Sequence, residues 1–258
     1  MTSTSAQTKL GEYVYCIIRC PEQREFTTRG IGERGDVVHT VCFEDLAAVV
    51  SASPTTEYDN SRRNMMAHTV VLEEVMREYS MLPARFGTLA PNSGALVEQV
   101  LKRRYGELNG LLHDIEGRVE LGLKAFWYEE VVFQEVLNEN QPIRRLRDSL
   151  MGRRPEQTYY ERIRLGELIE SAMWKKRDED AATILGPLTS LAREYRTNKV
   201  ITDRMVINAA FLVDGKRQPE FDAAVTKLDE DMGKRLTFKY VGPVPPYNFV
   251  NVVVKWDE

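Results

Sequence analysis

Cysteine and histidine are both scarce in this 258-residue chain, with three of each. Cys16, Cys20 and Cys42 are odd in number, form no Cys-x-x-Cys pair and have no histidine cluster beside them. That pattern excludes a secreted disulfide framework and a zinc site and leaves reduced cytosolic thiols. Long apolar runs are also missing. The charge-free stretch Val241 to Val254 is broken by Pro243, Pro245 and Pro246 and falls short of the roughly 20 residues that span a bilayer. Neither sign of charge dominates: 35 Lys and Arg stand against 39 Asp and Glu, a formal charge of -4. Such a balance provides no electrostatic footprint for nucleic acid or for an anionic membrane. The opening, Met1 to Gly11, has one lysine and no apolar core, so it reads as a frayed tail rather than a secretory signal. No Gly-x-Ser-x-Gly elbow, no phosphate-binding Gly-x-x-x-x-Gly-Lys loop and no His-Glu-x-x-His pair occurs.

What remains is an ordinary globular composition, 43% hydrophobic and 29% charged, long enough to bury a core without staples. Strands are predicted at Tyr13 to Ile18, from Val37, and at Leu46 to Ser51. From Arg62 to Tyr79 the positions Met65, Leu72, Val75, Met76 and Tyr79 recur at helical spacing, and Pro83 stops any continuation. Leu82 to Thr88 reads as a short strand with Ala84 and Phe86 on one face and Arg85 on the other. A second helix follows through Leu112. Gly117 to Trp127 alternates Val119, Leu121, Leu123, Ala125 and Trp127 against a mostly wet face of Arg118, Glu120, Gly122, Lys124 and Phe126. A helical region leads to a long helix from about Tyr159 to Arg196, kinked at Pro187. Met205 to Val213 suits a central strand. Phe221, Ala224, Val225, Leu228 and Met232 form the stripe of a packed helix, and Leu236, Phe238 and Tyr240 alternate as the next strand. The expected class is α+β in two domains. Residues 1–116 form an α+β mixture, and residues 117–258 form a modified ferredoxin-like fold with an antiparallel sheet and packed helices. Its Pro-rich tail, residues 243–258, is expected to fold back on the N-terminal domain.

Candidate chemistry is thin. Gly30-Ile31-Gly32-Glu33-Arg34-Gly35 matches the dinucleotide fingerprint by letter, but a polar loop precedes it and a β-branched strand follows. It reads as a flexible hairpin-like loop. His39, His68 and His113 lack partners for a metal and read as structural, with His68 placed to hydrogen-bond across a helix–sheet seam. Arg85 suits either anion recognition or pairing with a carboxylate. Glu120 and Lys124 read as surface charges, and the mixed-sign run Lys175 to Asp180 as a solvated helix face.

Leu82-Pro83-Ala84-Arg85-Phe86-Gly87-Thr88 carries the Pro-x-Arg-Phe-Gly-Thr pattern, and with it the chain resembles the gas vesicle GvpL/GvpF family, in its F-like, cyanobacterial type. Tyr13-Val14-Tyr15, Asp45 to Ser51, His68 ahead of Leu72-Glu73, the Gly117 to Trp127 strand and the tail Gly242-Pro243-Val244-Pro245-Pro246-Tyr247-Asn248-Phe249 follow the family's order. Val244 stands where the family usually has Trp, and Asn248 where Ser is common. The resemblance implies a minor structural or assembly protein of gas vesicles, not an enzyme, with no catalytic residue, cofactor or metal. It is expected in the cytoplasm before assembly and with the vesicle afterwards. Its partners would be the small hydrophobic shell protein and other minor vesicle proteins. The signature residues, Pro83, Arg85, Phe86, Gly87, Thr88, Gly242, Pro243, Pro245, Pro246 and Tyr247, are expected to be structural or partner-binding. Pro83 would break the helix, Gly87 would admit close backbone approach, and Pro245-Pro246-Tyr247 would fix an extended tail with one aromatic anchor. The alternative is a ferredoxin-like enzyme or adaptor with an anion site near Arg85.

Overall fold

The strand β1 (Leu10–Arg19) is apolar almost throughout, because it lies inside a sheet with neighbours on both sides. A computed structural model describes residues 10–54, 57–250, 252 and 256. The expectation for the frayed opening therefore falls, up to Lys9, outside the described residues. The chain divides into two compact units: Met1–Glu120 together with Pro243–Glu258, and Leu121–Gly242.

In the first unit β1 is joined by β2 (Glu25–Arg29), β3 (Val37–Phe43), β4 (Leu46–Pro54), β5 (Met81–Pro83) and β6 (Leu89–Ala90). The sheet order is β2-β3-β4-β1-β5, with β6 also on β1. Against β4, Val14 pairs with Val50 and Cys16 with Val49, so Tyr15 is the extra residue of a bulge. A bulge shifts the side-chain alternation by one. Tyr13 before it, Tyr15 within it, and Cys16, Ile18 and Cys20 after it therefore share one apolar cluster. The helix α1 (Arg62–Met76) closes that cluster with His68, Val71, Leu72 and Val75, an i, i+3, i+4, i+7 stripe. Ser61 caps it, accepting the Asn64 N–H at 3.3 Å.

The helix ends at Met76, well before Pro83. Pro83 instead closes β5, paired with Cys16, so its missing N–H falls at a strand end rather than at a helix stop. Met65, expected on the buried face, is 50% exposed. The Glu74 carboxylate reaches the edge strand β2, accepting the N–H groups of Thr27 at 2.9 Å and Thr28 at 2.8 Å. It thereby satisfies an edge that would otherwise invite another strand. Further on, α2 (Ser93–Leu96) runs into a π-helical stretch Val97–Lys102 before α3 (Tyr105–Ile115).

The second unit contains β7 (Arg118–Trp127), which begins just before it, α4 (Glu129–Glu139), α5 (Gln141–Leu150), α6 (Tyr159–Thr189), β8 (Ala192–Thr197), β9 (Met205–Asp214), α7 (Gln218–Met232) and β10 (Leu236–Val244). The sheet order β10-β7-β9-β8 is the ferredoxin-like arrangement, with α4, α5 and α6 as an enlarged first crossover. The long helix stops at Thr189, and residues expected to prolong it to Arg196 form the edge strand β8. This strand is exposed along nearly its whole length, so no apolar alternation announces it. The face of β7 expected to be wet is largely covered. Only Lys124 is exposed, Glu120 is 3% exposed, and Phe126 lies beneath the charged ends of Arg204 and Lys239, at 5.6 and 5.3 Å.

The run Lys175 to Asp180 also departs from a solvated face. Asp180 is 5% exposed and accepts from the Trp127 indole N–H at 2.8 Å and from both terminal nitrogens of Arg235 at 3.0 and 3.2 Å. Arg235 binds Glu135 through Nε at 2.7 Å. The hydrogen bond to Glu135 first, and that to Asp180 next, hold the guanidinium firmly protonated.

Candidate functional site

The signature Pro83 to Thr88 is a connection between two short strands that both pair with β1. Ala84 donates its N–H to the Tyr15 carbonyl at 2.8 Å, after which the chain leaves the sheet. The strand expected through Thr88 thus ends early. Arg85 to Thr88 is a tight turn closed by Thr88 N–H to the Arg85 carbonyl at 3.1 Å and by the Thr88 hydroxyl to the same oxygen at 2.7 Å. Gly87, third in the turn, has φ +81°, the value a type II turn needs there and one that L side chains resist. A Cβ at Gly87 would meet nothing within 4 Å, so backbone conformation and not close approach accounts for this glycine.

The turn aims the Gly87 N–H at the Tyr13 hydroxyl, 3.0 Å away. That hydroxyl lies 3.0 Å from His68 Nδ1, and His68 Nε2 lies 2.9 Å from the Tyr247 hydroxyl. The Tyr13 oxygen accepts from Gly87, so its own proton needs an acceptor, and Nδ1 is the one within reach. The imidazole is then protonated on Nε2 and donates to Tyr247. Phe86 packs edge-on to His68 at 5.8 Å, and Tyr15 stacks on it at 5.6 Å. Four segments far apart in sequence, around Tyr13, His68, Phe86-Gly87 and Tyr247, therefore meet at one ring.

Burial depresses His68 to about 4, and a protonated ring would leave the Tyr13 hydroxyl without an acceptor. Burial likewise raises the Tyr13, Tyr15 and Tyr247 phenols. No group in the cluster is poised near neutrality, where a general acid or base works best. What the arrangement does chemically is join segments by directed hydrogen bonds.

The tail enters by a turn. Gly242 has φ +146°, and Pro243 and Val244 complete β10. Pro245 and Pro246 are buried, and the Pro246 carbonyl accepts from Phe249 and Val250 at 3.0 and 2.9 Å. The chain therefore folds over at Tyr247 instead of continuing extended. Tyr247 is 45% exposed, yet its hydroxyl end is enclosed against His68. Val252 makes a parallel bridge to Ala84, while residues 251 and 253–254 of the edge strand expected there lie outside the described residues.

Glu120, expected at the surface, is the tail's second clasp. Its two carboxylate oxygens accept from the Asn248 backbone N–H at 2.9 Å and side-chain amide at 2.5 Å. No pattern around Glu120 announces this, because its partner lies 128 positions away. Asp180 did leave a signal: with Ile184 and Leu188 it falls on the buried stripe of α6 at i, i+4, i+8. Neither Glu120 nor Arg235 lies in a local pattern that marks it as a pairing group.

Other candidates resolve simply. The glycine-rich stretch at 30–35 joins β2 to β3, closed by Gly30 N–H to the Asp36 carbonyl at 2.9 Å. It is anchored and not merely a flexible loop, since Ile31 is fully buried and gives its N–H to the Tyr15 hydroxyl at 2.8 Å. Arg85 is exposed but already engaged within the molecule. Among the described residues no group of three or more His, Cys, Asp or Glu side chains is placed to hold a metal. Cys16, Cys20 and Cys42 are free thiols, and burial raises that of Cys16. No described helix is long and apolar enough to cross a membrane.

Comparisons with known proteins agree with this geometry over nearly the whole chain. Gas vesicle protein F of Microcystis aeruginosa is 28% identical over 246 residues, covering 95% of this chain and 99% of that protein. Gas vesicle protein F of a Streptomyces species is 32% identical over 246 residues, covering 93% and 100%. The crystal structure of the gas vesicle protein GvpF from an Anabaena species superimposes with a TM-score of 0.84 at 27% identity, covering 95% of this chain and 99% of that one. The family model described as gas vesicle synthesis protein GvpL/GvpF matches residues 11–251, and the chain belongs to that family of gas vesicle proteins.

Proposed function

We propose that this protein is a minor structural or assembly component of gas vesicles, which binds the small hydrophobic shell protein while the vesicle forms. The observation that carries this reading is the end-to-end likeness to proteins named gas vesicle protein F, spanning the sequence of both units. The site chemistry is consistent with it, since the signature residues at Phe86, Gly87 and Tyr247 serve internal hydrogen bonds and packing around His68. The role is one of binding without catalysis or cofactor. An apolar shell subunit aggregates through its exposed surface until it joins the growing shell. A folded partner with charged, soluble outer faces delays that by covering the apolar face. The chain then resides in the cytoplasm before assembly and with the vesicle afterwards, and other minor vesicle proteins are further partners.

Binding of this kind is apolar at its centre, and a formal charge of -4 on 258 residues supplies little steering. Co-purification of the tagged protein with the shell subunit over a salt series should therefore persist at high salt, and deleting the gene should abolish flotation of the cells. Normal flotation together with no co-purification at any salt would refute the reading.

A further inference from the structure

We propose that a cavity between α4 and α6 is a docking pocket for a protein segment that inserts one large apolar side chain flanked by lysine or arginine. The inference rests on the reading that this chain works by binding other proteins, and it names a surface and the chemistry that surface selects. The cavity, about 360 Å³, is floored by Trp127, Phe133 and Met173 and rimmed by Glu129, Glu130 and Asp203. Its size falls in the range of about 300 to 1,000 Å³ in which proteins seat ligand groups.

The floor is held still. The Trp127 indole N–H is bound to Asp180 at 2.8 Å, and the Arg177 guanidinium lies over its ring at 5.5 Å. A floor fixed before binding loses little freedom when a side chain arrives. Part of the lining is itself open, since Phe133 is 38% exposed. A large aromatic side chain left open in a preformed pocket suits an interface centre.

The rim decides the occupant. None of the Glu129, Glu130 or Asp203 carboxylates has an ion-pair partner among the described residues. Two cations stand close by and both are engaged elsewhere: Arg204 lies over the Phe126 ring at 5.6 Å, and Arg177, over the Trp127 ring, gives an N–H to the Asp203 backbone carbonyl at 2.5 Å. The three exposed acidic residues therefore leave an excess of negative charge around an apolar floor. An acidic neighbour on the incoming segment would be repelled, and a basic one attracted.

The test uses an end-blocked, tryptophan-free helical peptide with one phenylalanine between lysines. Two controls replace the lysines with glutamates or the phenylalanine with serine. Titration into the full-length protein is followed by calorimetry and by tryptophan emission. The lysine peptide should bind saturably, at least tenfold tighter than either control. Phe133→Glu should abolish binding, and the double variant Glu129→Lys/Glu130→Lys should reverse the preference between lysine and glutamate peptides. All three residues are exposed, and unchanged melting temperatures would confirm intact folding. No saturable binding at millimolar peptide, equal binding of lysine and glutamate peptides, or unchanged binding by Phe133→Glu would overturn the proposal. So would equally tight binding of phenethylammonium, which would make the cavity a small-molecule site. Shell-subunit co-purification that survives both variants while the peptide fails to bind would remove this pocket and leave the assembly reading standing.

Discussion

Acidifying the protein should loosen the first unit through a single side chain, His68. Its imidazole is 3% exposed and holds Tyr13 on one nitrogen and Tyr247 on the other. Burial lowers its pKa from 6.5 to about 4. The sign follows directly. Between those values the unfolded chain takes up a proton that the folded chain refuses, so stability present above pH 6.5 is lost as pH falls toward 4. At about 1.4 kcal/mol per unit, the full loss is about 3 kcal/mol, of which about 2 kcal/mol is gone by pH 5. Glu74, the most depressed carboxylate, stands at about 2, with desolvation opposed and outweighed by hydrogen bonds from Thr28 and Thr27. Its contribution is lost only as pH falls below the ordinary carboxylate range, leaving pH 5 to 6.5 to His68. Imidazole NMR should show Nε2 protonated at pH 7 and titration near 4. Urea unfolding of the first unit should weaken between pH 7 and pH 5 by about 2 kcal/mol more in the wild type than in His68→Gln. A ring that titrates near 6.5, or parallel pH profiles for the two proteins, would refute the reasoning.

Gly87→Ala forces an L side chain onto φ +81° with space around it; thermal unfolding should report a loss of about 1 to 2 kcal/mol from backbone strain alone. Asp180→Ala strips the Trp127 N–H of its acceptor and leaves Arg235 with Glu135 alone, and should cost about 1 to 3 kcal/mol, as a denaturant series would show. Glu74→Gln removes a charged acceptor from the β2 edge, so hydrogen exchange at the Thr27 and Thr28 amides should accelerate by tenfold or more, for about 1.5 to 3 kcal/mol of lost hydrogen bonding.

Elements whose burial is announced by their own residues were legible from sequence. The one-sided α7 stripe Phe221, Val225, Leu228, Met232 and the nearly unbroken apolar run of β9, covered on both faces, stand in the structure where the pattern placed them. What escaped were features decided by distant partners. β8 is an edge strand whose residues face water, so nothing in Ala192 to Thr197 distinguishes it from the end of a charged helix. Glu120 resembles any strand glutamate until Asn248 arrives from the tail. The Pro83 to Thr88 signature was legible as a family mark, but its mechanism was not. A type II turn with its N–H aimed at Tyr13 becomes visible only once β1 supplies that hydroxyl.

The same geometry separates the signature residues of the first unit from the open apolar surface of the second. Phe86, Gly87 and Tyr247 act inward, toward His68 and Tyr13. Replacing any of them perturbs the first unit before it perturbs a contact surface, so a loss of vesicles in such variants reports folding as much as recognition. Recognition has to be sought where apolar area is left open without an internal role. In the second unit Phe133 is exposed in the lining of a preformed cavity, and it does not belong to the signature. Substitutions there remove apolar contact area while the Asp180–Arg235 pair and the sheet remain intact, which makes them the cleaner probe of the proposed binding.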